Sequence, residues 1–124
     1  MLQMAKSQGV SIHKRAIEFC DEKTKSFGEV VAHICENVSG DHIVWATCTA
    51  PLVFPKHYEE AISLYYKALN EGYDSLVSFE QFKRYLWDDK GPVNYELGIK
   101  HLPSQQLKPL YFCTDGILIA PRKK

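Results

Sequence analysis

The chain has 124 residues, which at roughly 150 residues per domain argues for one domain rather than two. Lys and Arg total 15 and Asp and Glu total 15, so the formal charge is zero and there is no basic excess to hold nucleic acid or an anionic membrane surface. An apolar fraction of 45% with 24% charged residues excludes the polar, aromatic-poor composition of disorder. No apolar run approaches the ~20 residues of a bilayer span, and the opening MLQMAK lacks the apolar stretch of a signal peptide, so a cytoplasmic location is expected.

In chain order, residues 2–8 read as a helix end stopped by Gly9, followed by a short strand at Val10-Ser11-Ile12. Ser26-Phe27-Gly28-Glu29 has the S-x-x-E form that caps a helix start, and Phe27, Val30, Val31, Ile34 and Val38 follow at helical spacing. These predict a helix near 26–39. Gly40 ends it, and the apolar, β-branched run 43–47 predicts a strand covered on both faces. Tyr58, Ala61, Ile62, Tyr65, Ala68 and Leu69 recur at three- and four-residue steps between Pro55 and Gly72, which predicts an amphipathic helix over 55–71. A second β-type run covers 75–79. Strand, helix, strand, helix, strand implies a parallel sheet with right-handed crossovers.

Beyond Phe79 the pattern changes. Phe82 to Trp87, the turn Asp88-Asp89-Lys90-Gly91, and Val93 to Leu97 predict a projecting hairpin. The runs 110–113 and 117–120, separated by Thr114-Asp115-Gly116, predict two further strands. Cys20, Cys35, Cys48 and Cys113 form no C-x-x-C pair and read as buried thiols without disulfides. The five histidines do not pair at ligand spacing, and Asp88-Asp89 is read as turn chemistry rather than a metal pair.

In open α/β sheets ligands sit beyond the carboxyl ends of the strands. That rule selects Arg15, a bidentate donor for phosphate or carboxylate, and the loop Thr47-Cys48-Thr49-Ala50-Pro51-Leu52. Gln105 and Gln106, in a polar connection, offer a donor and an acceptor each to a sugar-like ligand.

The succession Gly9-Val10, Lys14-Arg15, Asp21 to Ser26, Ile43-Val44-Trp45, Thr49-Ala50-Pro51-Leu52, Tyr73-Asp74-Ser75-Leu76-Val77-Ser78, Pro92-Val93-Asn94-Tyr95 and Ser104-Gln105-Gln106-Leu107 resembles the CMP-sialic acid synthetases, or acylneuraminate cytidylyltransferases, and their legionaminic and pseudaminic acid relatives. The resemblance covers nearly the whole chain in order. It implies an α/β fold with a Rossmann-like nucleotide-diphospho-sugar transferase core, from which a β-hairpin excursion over 80–112 projects to form a homodimer. It also implies an enzyme that joins CTP to a nonulosonic acid, releasing pyrophosphate with Mg²⁺ assistance.

Carried over by residue, Arg15 and Ser26 fall on the nucleotide side, and Thr47, Thr49, Gln105 and Asp115 on the sugar side. Thr47 stands where many members have the glutamine of Q-P-T-S-P-L-R, with Cys48 for its proline, Ala50 for its serine and Val53 for its arginine; these departures lean toward the pseudaminic and legionaminic branches. Thr114-Asp115-Gly116 stands near the family's E-N-G with a one-residue shift. The family's triphosphate loop and its metal-binding D-x-D are not in this sequence. The resemblance therefore implies a single partial domain over 1–124, inactive by itself. The alternative expectation is a non-catalytic α/β module that acts through dimerisation or partner binding.

Overall fold

The computed structural model describes residues 2–21 and 23–122. They divide into two units, one holding the described residues up to Ile43 with Pro121 and Arg122, the other running from Val44 to Ala120. The chain is mixed helix and strand, and its sheet is small and antiparallel rather than parallel.

In the first unit, α1 (Leu2–Ser7) ends at Gly9, whose φ of 74° no side chain favours. The Gly9 and Val10 amides donate to the carbonyls of Lys6 and Ala5, the crossed pair that closes a helix with a left-handed glycine. The expected strand at 10–12 is absent. A strand persists only where a neighbouring ladder takes its amides, and this three-residue alternation remains irregular backbone, with Val10 and Ile12 exposed. A single 3₁₀ turn, Ile17–Cys20, precedes α2 (Phe27–Asn37).

Helix α2 begins as its sequence dictates. The Ser26 hydroxyl accepts from the Glu29 amide at 3.3 Å, and the Glu29 carboxylate accepts from the Ser26 amide at 2.9 Å. Lys25 reaches the other carboxylate oxygen at 3.2 Å.

The larger sheet has three strands in the order β1-β5-β2, with β1 His42–Ala46, β2 Leu76–Phe82 and β5 Leu110–Pro121. β2 and β5 are antiparallel. Just before β1, Asp41 accepts from the Arg122 amide, and just after it Thr47 bonds to Asp115, so β1 also runs against β5. β1 and β2 thus point the same way, but β5 lies between them instead of a direct parallel pairing.

Helix α3 (Pro55–Asn70) starts at a proline, which suits the first helical position, and the His57 imidazole accepts from the Phe54 amide at 3.0 Å in the role an N3 glutamate usually fills. Its buried Tyr65 packs with Ile117 and Ile119 of β5, and Val53, Tyr58, Ala61, Leu69 and Leu76 close around them. Fully burying such side chains contributes ~1.5–3 kcal/mol each.

The ladder of β2 and β5 extends to the Phe82–Leu110 pair, so the excursion occupies 83–109. Its hairpin is far shorter than the sequence suggested: β3 (Trp87–Asp88) and β4 (Gly91–Pro92) make two pairs. Proline has no amide to extend the ladder. Past it one backbone bond remains, from the Val93 amide to the Leu86 carbonyl at 2.8 Å, and Asn94 adds side-chain bonds, accepting from the Leu86 amide and donating to the Arg84 carbonyl. The Asp88 carboxylate accepts from the Lys90 and Gly91 amides, which makes this acidic pair a turn.

Candidate functional site

The two expected strands at 110–113 and 117–120 are one strand, and Thr114-Asp115-Gly116 is a bulge within it rather than a turn. Val77 pairs with Leu118 and Phe79 with Cys113, so Ser78 alone faces the four residues 114–117. Asp115 takes φ 51°, a left-handed conformation that aspartate tolerates better than most residues. Gly116 sits where space is tight. A Cβ there would lie 3.3 Å from Val53 Cγ2 and 3.5 Å from the hydroxyl oxygens of Ser78 and Thr114.

Hydroxyl groups satisfy the backbone that the bulge releases. Thr114 Oγ1 donates to the Ser78 carbonyl at 3.1 Å, which leaves the Ser78 hydroxyl to donate to Thr114 Oγ1 at 2.7 Å. Ser78 Oγ also accepts from the Ile117 amide at 3.0 Å. Just past β1, the Thr47 hydroxyl donates to the Asp115 carbonyl at 2.7 Å, and the Cys113 thiol lies 3.3 Å from the Asp115 carboxylate.

The loop after Thr47 is two successive turns, Ala50 to Thr47 and Val53 to Ala50, each closed at 3.1 Å. Pro51 stiffens them. Thr49 and Cys48 are exposed here, next to the half-buried Thr47. The site presents the exposed Asp115 carboxylate, the Thr114 and Thr47 oxygens and the Thr49 hydroxyl. This set is rich in acceptors and suits a ligand with several hydroxyl groups.

Among the residues selected from sequence, Thr47 and Asp115 are brought into direct contact and Thr49 follows in the same turn. Gln105 lies in the 3₁₀ turn Ser104–Gln106, where its carbonyl accepts from Lys83 at 3.2 Å. Arg15 and Ser26 belong to the first unit. Arg15 is exposed in irregular backbone, and the Ser26 hydroxyl is engaged in the α2 cap. An open cavity of about 360 Å³ in that unit is lined by Gly28, Val31, Ala32, Cys35, Glu36 and Arg122, without either of them.

Ser78 and Thr114 were not selected from sequence, although a serine interrupting the apolar run Leu76-Val77-Ser78-Phe79 was the available signal. All four cysteines are free thiols; Cys20 and Cys48 are exposed and Cys35 and Cys113 half-buried, so the expectation of core thiols fails for the first two. Among the described residues no helix is long and apolar enough to cross a membrane.

No protein-family model matches the chain, and no curated protein matches it significantly.

Proposed function

We propose that the chain is part of a cytidylyltransferase-type enzyme of the CMP-nonulosonic acid synthetase kind, acting in the cytoplasm, and that the Thr47–Asp115 contact marks its sugar side. The observation that carries this reading is that contact. It joins the two segments the resemblance assigns to sugar recognition, although 68 residues separate them in sequence. The Asp115 carboxylate would repel the acid group of a nonulosonic acid and accept from its hydroxyls. It therefore orients the sugar with its carboxylate turned away.

The finer fold reading, a Rossmann-like transferase core, is part of the same proposal. Its support is the shared direction of β1 and β2 with α3 between them in sequence. CTP would meet Arg15 on the nucleotide side. The Mg²⁺ implied by the resemblance belongs to the complete family enzyme. No step is routed through it, and the chain by itself is expected to bind sugar without turnover.

Saturation-transfer NMR with a free nonulosonic acid tests the reading. Signal transfer to the sugar protons, lost in Thr47→Val and Asp115→Ala, is the expected result. Equal transfer in both variants would sink it.

The second reading is a non-catalytic module that works through association. It rests on the apolar surface of the excursion, where Trp87, Val93, Leu97 and Ile99 are all exposed. A homodimer through this surface is compatible with either reading.

A further inference from the structure

We propose that His13 and His33 form an open two-histidine site for a borderline divalent cation, for which Zn²⁺ is the probe. His13 lies in the irregular segment after α1 and His33 on α2, both within the first unit. Their ring centroids are 5.3 Å apart with planes inclined at 54°. Both Nε2 atoms are buried and have no hydrogen-bond partner among the described residues. A buried imidazole nitrogen left in that state is costly, and here the two rings that carry such nitrogens are neighbours.

The spacing fits a metal ion. A Zn–N bond of about 2.0–2.1 Å, plus about 1.1 Å from nitrogen to ring centre, sets each centroid roughly 3.2 Å from the ion; a tetrahedral angle then separates the centroids by about 5.2 Å. Imidazole suits zinc, copper and nickel, and neither magnesium nor calcium. The His33 ring is held for the task, stacked on Phe19 at 4.0 Å and 10°. Two protein ligands leave two positions to water or an outside donor, which is why the site is open.

Competition between the intact chain and a chromophoric zinc chelator tests this. The wild type is expected to take one equivalent of Zn²⁺ at micromolar concentration. His13→Gln and His33→Gln, checked for folding by circular dichroism, are expected to lose that equivalent, with at least tenfold weaker binding, and His101→Gln to retain it. Retention in either of the first two, as cysteine binding would produce, overturns the proposal. Should a variant misfold, NMR of the wild-type imidazoles decides: the His13 and His33 signals must shift first with added zinc, and earlier shifts of His42, His57 or His101 overturn it.

Discussion

The hydroxyls of Ser78 and Thr114 meet at 2.7 Å across a ladder that is broken between them. Ser78 also supplies the acceptor for the Ile117 amide, which belongs to a residue only 6% exposed. Replacing Ser78 with alanine leaves that amide without its partner. Leaving a buried donor unsatisfied costs about 1–3 kcal/mol, whereas Thr114→Val removes bonds nearer the surface and is expected to cost about 1 kcal/mol. Urea unfolding of the two variants checks the order.

Asp115 separates backbone from side-chain effects. At φ 51° a glycine is free of the left-handed penalty and a β-branched residue is not. Asp115→Gly is expected to keep the fold while losing the carboxylate, and Asp115→Val to lower stability by ~1–2 kcal/mol. Thermal melts distinguish them: equal losses would mean that the carboxylate, not the backbone, holds the bulge.

The α2 cap makes a pH-dependent contribution whose sign is fixed. The Ser26 amide, then the Ser26 hydroxyl and Lys25, hold the Glu29 carboxyl below the ordinary glutamate range. A folded-state pKa below the unfolded one contributes stability that is present above the unfolded value and lost as pH falls through the folded value. Glu29→Gln is therefore expected to be less stable than the wild type near neutral pH, with the difference closing in acid. Ser26→Ala is expected to cost about 1 kcal/mol by loss of the cap. Denaturant titrations at neutral and acidic pH measure both.

Local signals were legible and long-range ones were not. The Ser26–Glu29 box and the spacing from Tyr58 to Leu69 describe contacts within one turn of helix, and both helices start within a residue of expectation. Thr114-Asp115-Gly116 between apolar runs carries the hairpin signal of an Asp-Gly pair. Its actual partner is Ser78, 36 positions away, and no local pattern encodes that pairing. The same distance explains β5. Its place between β1 and β2 depends on a return of the chain after an excursion of 27 residues, 83–109, whereas alternation of strands and helices argues only for parallel neighbours. Thr47 follows from its place beyond a strand end and Asp115 from the resemblance alone, and their hydrogen bond supplies a physical link that composition could not.

The excursion carries the last prediction. Tyr85 donates to the Leu102 carbonyl and Trp87 to the Tyr95 hydroxyl, while Tyr85, Tyr95 and His101 pack ring against ring at 4.7–5.3 Å. These contacts satisfy the polar tips and fix the rings. Even so Trp87 remains 60% exposed, with Val93 at 57% and Leu97 at 60%. Rigid aromatic side chains whose polar atoms are already bonded lose little entropy when covered, and such residues dominate the energetics of protein interfaces. An isologous homodimer is expected, with Trp87 at its contact. Light scattering at micromolar concentration should return twice the chain mass of 14.2 kDa, and Trp87→Ala should shift it to the monomer while far-UV circular dichroism stays unchanged. A monomer mass in the wild type would remove the dimer, and a dimer that survives Trp87→Ala would place its contact elsewhere.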